Sequence, residues 1–321
     1  MEFLPESACD TLRDLDRNID WGGVRGEKRK GKNWKEGHHQ DTLAQIRCFA
    51  RTPRKMGPMP YRRCWRPPPP AQVLGSHGDR GGDCAILPPM KIEQPLVEAT
   101  LVKRYKRFLT DVILQDGSEL TAHCPNTGSL LGCKDEGSRV WLRDTQNDKR
   151  KYRMSWQAIE VNGTWVNVDT GLPNEEVYTA ICEGRVPKLA GYDSAKREVK
   201  YGVNSRIDVL LQNESGEKCY VEVKNTTLVN GDVALFPDAV TERGRKHLGE
   251  LVNEVKAGNR AVQFFFVSRN DVTSFRPADD IDPKYAAALR EAAAAGVEVM
   301  AWSVDVERES IALCKELTVE L

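Results

Sequence analysis

Asp208, Glu222 and Lys224 are the residues of this chain whose types and spacing could do chemistry. Asp208 lies in Arg206-Ile207-Asp208-Val209-Leu210-Leu211. Glu222 and Lys224 lie in Cys219-Tyr220-Val221-Glu222-Val223-Lys224. Both segments alternate as half-buried strands do. Residues 212–218 between them hold Asn213, Ser215 and Gly216, a turn composition. A hairpin is predicted. If Leu211 pairs with Cys219, Asp208 falls opposite Glu222, with Cβ atoms about 4.5–5.5 Å apart. Carboxylates that close repel unless something positive sits between them. A hard divalent cation, Mg²⁺ or Mn²⁺, suits oxygen ligands. Lys224 could then hold an attacking water or stabilise charge on a phosphoryl transition state. The same residues also read as surface charge on a two-faced sheet. Against that, an acid between Ile207 and Val209 is costly to bury without a partner.

The elements around the hairpin fall into two sets. Strands are predicted at 96–104, 108–114, 119–123, 139–144, 152–161 and 164–169. Turn residues such as Asp116-Gly117, Asn126-Thr127-Gly128 and Asn162-Gly163 separate them. Five or six short strands in so little chain suggest a small OB-like β-barrel. From Pro173 helices and strands alternate. A helix capped by Asn174 is expected to about 183. Strands are expected at 198–203, 206–211 and 219–224, then a helix over 239–256 and a strand at 261–267. A helix opens at Asp282-Pro283 and stops before Gly296, and a final strand covers 297–303. That order predicts a mixed sheet flanked by helices.

The 321 residues leave room for two domains. Formal net charge is zero, so any nucleic-acid surface must be local. Residues 1–89 hold 16 Lys and Arg against 11 Asp and Glu, leaving 31 against 36 for the rest. They also hold ten of the 17 prolines and show no sustained period. Such a stretch reads as a disordered or non-native extension, with the natural start at Met90. The alternative is a basic tail that adds affinity for nucleic acid. The nine cysteines show no metal-ligand spacing and read as reduced thiols. No run approaches the roughly 18 apolar residues of a membrane span, and the chain opens on Glu2, Glu6 and Asp10 rather than a signal pattern. A cytoplasmic protein without a membrane partner is expected. A P-loop and a dinucleotide fingerprint are both absent.

The acid hairpin resembles the core of the PD-(D/E)xK nuclease superfamily. Longer segments are more specific. They are His123-Cys124-Pro125-Asn126-Thr127-Gly128, Asp169-Thr170 with Pro173-Asn174, and Tyr201-Gly202 with Asn204 to Asp208. Val221 to Leu228, Phe236 to Leu248, and Ile281-Asp282-Pro283 with Tyr285 complete the series. Together they resemble the sugar fermentation stimulation protein A family from about Met90 to the C-terminus. The resemblance implies an OB-like barrel over 90–171 and a PD-(D/E)xK-type mixed-sheet domain over 172–321. It implies binding of DNA without strong sequence preference and a regulatory link to sugar (maltose) metabolism. The superfamily core implies the alternative, a Mg²⁺-dependent DNA nuclease. Asp208 and Glu222 would then bind metal and Lys224 would assist.

Two basic clusters are candidate nucleic-acid contacts. Arg243, Lys246 and His247 lie at i, i+3 and i+4 near a helix start, where free N–H groups also favour phosphate. Lys103, Arg104, Lys106 and Arg107 interleave with Tyr105 and Phe108 in the first barrel hairpin. RNA stays open as a partner, as does a homodimer.

Overall fold

The computed structural model describes residues 90–321, Glu93 excepted. The reading of residues 1–89 lies outside the described residues, as do Cys9, Cys48, Cys64 and Cys84. The five described cysteines are free. Among the described residues no helix is long and apolar enough to cross a membrane.

A short strand, β1 (Met90–Lys91), pairs far along the chain, Met90 opposite Ile311. Six strands then form the barrel: β2 (Leu96–Tyr105), β3 (Leu109–Leu114), β4 (Glu119–His123), β5 (Arg139–Asp144), β6 (Met154–Val161) and β7 (Thr164–Asn167). Their order is β4-β3-β2-β5-β6-β7, and a parallel contact of β4 with β6, His123 opposite Ser155, closes the sheet on itself. Register shifts at Leu101/Lys103 and Trp141/Leu142 give the local bending that closure needs. Alternation sends Leu101, Val112, Ala122, Leu142, Trp156 and Val166 inward to one core.

The second part is a mixed sheet between helices. Its elements are α1 (Leu172–Cys182), β8 (Ser194–Tyr201), β9 (Ser205–Gln212), β10 (Lys218–Thr226), β11 (Leu228–Asn230), β12 (Val233–Phe236), α2 (Glu242–Lys256), β13 (Arg260–Val267), β14 (Ser274–Pro277), α3 (Pro283–Ala294), β15 (Glu298–Val306), β16 (Ser310–Glu316) and β17 (Thr318–Val319). Seven strands run β1-β16-β15-β13-β10-β9-β8, with β13 parallel to both neighbours. A small second sheet runs β11-β12-β14-β17. Strand β13 is buried on both faces, as a central parallel strand should be. Phe264 and Phe266 pack with Val177 and Ile181 of α1, whereas Phe265 packs with Leu248 and Leu251 of α2 and Leu289 of α3.

Three expectations need correction. Asn174 does not cap α1: the cap position is Gly171, and Asn174 lies inside the first turn, its amide turned to another element. The strand at 297–303 is not the last, because β16 returns antiparallel and β17 follows. Strands β11, β12 and β14 were not expected at all. They are three or four residues long, too short to show a period.

The barrel docks on the sheet through polar contacts. Ser129 Oγ donates to the Asp238 carbonyl at 2.6 Å, and Leu130 N–H donates to Asp238 Oδ2 at 2.9 Å. Asn167 N–H donates to the Ser268 carbonyl at 3.0 Å. Helices α2 and α3 are joined by Asp282, which is 1% exposed. It caps α3 by accepting from Tyr285 N–H at 3.0 Å, accepts from Thr241 N–H at 2.8 Å, and pairs with Arg245 at 3.0 Å. Asp282→Ala removes an N-cap and leaves Arg245 without its partner. A loss of at least about 2 kcal/mol is expected, read as a lower urea midpoint at unchanged slope; an unchanged midpoint would contradict this account.

Candidate active site

The hairpin forms as its alternation predicts. Leu211 pairs with Cys219, Leu210 with Tyr220 and Val209 with Val221. One step further brings Asp208 beside Glu222, and there the ladder ends. Asp208 Oδ2 instead accepts from Val223 N–H at 2.7 Å, while its Oδ1 accepts from Asn174 Nδ2 at 2.7 Å. Helix α1 thus places a neutral donor, not an acid, on Asp208. The neighbouring Glu176 is buried against Arg185 at 2.6 Å and is structural.

Glu222 is 2% exposed. Its Oε1 receives Lys224 Nζ at 2.5 Å and is in contact with His247 Nδ1. Arg243 Nε donates to His247 Nε2 at 3.3 Å. Gln263, opposite Glu222 on β13, donates to the Glu222 carbonyl at 3.0 Å. The Oε2 oxygen is buried and has no partner among the described residues.

The two acids are pushed apart in acidity. Burial, then the Glu222 charge, raises Asp208 to about 6, against the pull of Val223 N–H and Lys224. Burial also works to raise Glu222, but His247 and Lys224 together hold it below the ordinary carboxylate value. Among the described residues no group of three or more His, Cys, Asp or Glu gathers to hold a metal. The two carboxylates still fit Mg²⁺, which keeps several waters and is commonly bound by one or two carboxylates plus substrate phosphate. The unpartnered Glu222 Oε2 is the observation behind that fit.

The basic candidates separate. His247 is not a phosphate contact as expected: it is buried, and it holds Glu222. Arg104 is likewise spent within the protein, donating to the carbonyls of Asn126, Gly128, Ser129 and Arg107. It moulds the loop at 126–129. Lys246 is exposed but reaches the Val203 carbonyl at 2.8 Å, and Lys103 lies 3.7 Å from Asp111. Lys106, Arg107 and Phe108 stand exposed at the β2–β3 tip, where Lys106 and Arg107 have φ of 49° and 65°. Arg243 is exposed at the start of α2. The sequence reading missed Asn174 and Gln263. Asn174 lay inside one of the conspicuous segments, but nothing in its local pattern pointed to Asp208.

Residues 102–168 match a family model described as the SfsA N-terminal OB domain, and residues 171–310 match the sugar fermentation stimulation protein RE domain. A sugar fermentation stimulation protein homolog of Pelobacter propionicus is 53% identical over 227 residues, 71% of this chain and 98% of that protein. One from Paramagnetospirillum magneticum is 51% identical over 232 residues, 72% of this chain and 98% of that protein. The solved structure of Pyrococcus furiosus SfsA in complex with Ca²⁺ covers 73% of this chain and 100% of its own, with TM-score 0.67 and 30% identity. The chain belongs to the sugar fermentation stimulation protein family.

The raised Asp208 fixes a pH signature. Its folded pKa, about 6, lies above the ordinary aspartate value of 3.8. The folded state therefore holds the proton more tightly, and stability is lost as pH rises from about 4 to about 6. Asp208→Asn cannot lose that proton. Its stability relative to the parent should improve by about 1–3 kcal/mol between pH 4 and pH 7, measured by urea denaturation. A difference that stays flat across this window would refute the assignment.

Proposed function

We propose that this member of the sugar fermentation stimulation protein family binds DNA without strong sequence preference and cleaves it as a divalent-metal-dependent phosphodiesterase. The observation that carries the reading is Glu222 Oε2, a buried carboxylate oxygen without a partner beside the raised acid Asp208. Asp208 and Glu222 would hold Mg²⁺ or Mn²⁺, which supplies Lewis-acid charge to the phosphate. The relative from Pyrococcus furiosus, solved with Ca²⁺, supports a site for hard divalent cations.

The chain's own residues have distinct tasks. Lys224 carries a positive charge beside Glu222 and can orient a water or stabilise charge developing on the phosphoryl oxygens. His247 and Gln263 hold Glu222 in place from α2 and β13. Asn174 fixes Asp208. Lys106, Arg107 and Arg243 offer exposed charge to the DNA backbone.

A second reading is binding without cleavage, consistent with a regulatory role in sugar metabolism that the family's name suggests. One observation favours it: Lys224 and His247 already crowd Glu222 Oε1, so the acid is partly neutralised without metal.

The deciding test is cleavage of labelled single- and double-stranded DNA with Mg²⁺ or Mn²⁺, with Asp208→Ala in parallel. Metal-dependent cleavage that the mutant loses supports the nuclease. DNA binding without cleavage by either protein leaves the second reading. Binding itself has a separate check. Replacing Lys106 and Arg107 together by Gln should weaken binding and lower the slope of log affinity against log salt by about 1–2. An unchanged slope would remove the hairpin tip from the DNA path.

A further inference from the structure

A cavity lies where barrel and sheet meet. Its volume is about 160 Å³, and Asn126, Thr170, Asn225, Thr226, Phe236 and Asp238 are on its walls. That is smaller than the roughly 300–1,000 Å³ of drug-sized pockets and suits a single ring. Asn225 and Thr226 directly follow Lys224 on β10. Thr226 shares the strand face of Glu222 and Lys224 and lies about 7 Å beyond Lys224. A phosphate held at the acid site therefore has this cavity within reach of an adjoining nucleoside.

The walls lack partners of their own. Thr226 is 1% exposed, yet its Oγ1 makes no hydrogen bond among the described residues. Asn225 Nδ2 is buried and equally unpartnered, its Oδ1 being taken by Ser268. Buried polar atoms are nearly always satisfied, so unpartnered groups on two residues lining this cavity point to something that satisfies at least the Thr226 hydroxyl, on the Glu222 face of the strand. Asp238 Oδ2 is used by Leu130 N–H, while Oδ1 accepts nothing among the described residues. The loop beside it must approach closely. A Cβ on Gly128 would meet Asn126 Oδ1 at 2.9 Å and Asp238 Oδ1 at 3.3 Å, so any side chain there would intrude.

The chemistry of the walls selects the occupant. The Asp238 carboxylate disfavours a phosphate and favours an N–H donor. Amide N–H and hydroxyl groups match the mixed edge of a heterocycle, and Phe236 offers it an aromatic wall. We propose that this cavity receives one nucleobase, unstacked from its neighbours and presenting an amino group to Asp238, next to the phosphate held at Asp208 and Glu222. The proposal rests on the DNA-binding reading above. It assigns that site a base subsite and hence a preference for single-stranded or unpaired nucleotides.

The test uses the full chain with Ca²⁺ in place of Mg²⁺, so that a hard cation still links the phosphate to the two acids, and a gel of the labelled strands confirms that nothing is cleaved. Anisotropy measures its affinity for a set of end-labelled single-stranded oligonucleotides, each with one abasic position walked along the strand. A base seated against an aromatic wall should make one position stand out, its loss weakening binding about tenfold. Thr226→Val should abolish that contrast and Thr226→Ser should keep it, with thermal unfolding confirming that both fold. Equal affinity at every position overturns the base subsite while leaving DNA binding intact. A contrast that survives Thr226→Val overturns it as well, because the base is then held elsewhere. No binding of any oligonucleotide overturns the DNA reading itself, and the base subsite with it.

Discussion

A buried carboxylate, Glu222, and a half-buried one, Asp208, at the end of one antiparallel ladder impose the conditions that the surrounding elements meet. In a low-dielectric interior, neighbouring like charges cost far more than in water. The fold resolves this asymmetrically. Glu222 receives Lys224 and His247, while Asp208 receives only the neutral donors Val223 N–H and Asn174. Their acidities move in opposite directions as a result. Divergent paired carboxylates of this kind are a common way to prepare a site for work near neutral pH. Lys224 and Val223 N–H lie on β10 itself, whereas His247 and Asn174 come from α2 and α1, so both helices must be in place before the pair is tolerated.

Much of this was legible in the sequence wherever a single period governed a segment. The β9–β10 hairpin showed because one face is apolar and the register of a two-sided strand is hard to mistake. The barrel strands showed for the same reason, their turns being marked by Gly and Asn. Asn174 misled because Asn at a helix start usually caps it; here the first turn lies over the hairpin, and the amide has a better partner in Asp208. His247 misled for a related reason. Helical spacing groups it with Arg243 and Lys246, but the rotation of α2 against the sheet decides which of the three is buried, and that rotation is set by Leu248 and Leu251. Strands β11, β12 and β14 hold too few residues to carry a signal of their own. They exist because they pair with one another and with β17.

The junction of barrel and sheet follows a different logic from either core. It is made of carbonyls, hydroxyls and one carboxylate rather than of packed aliphatic side chains. Polar contacts of this kind are directional, so they fix orientation where apolar ones would mainly supply cohesion. The loop at 126–129 is held from behind by Arg104 and from in front by Asp238. A guanidinium that looks like a nucleic-acid contact in the sequence thus serves as internal scaffolding for the loop.

The β2–β3 tip carries one more consequence. Lys106 and Arg107 both sit at positive φ in the three-residue turn 106–108, a conformation that Asn and Gly adopt with least strain. Side chains with a Cβ are disfavoured there by roughly 1–2 kcal/mol per residue. An engineer seeking a sturdier protein would write Asn-Gly at this turn and gain thermal tolerance. The same edit would erase two exposed positive charges. The tip is therefore a place where stability and charge are in competition, and here charge has been kept.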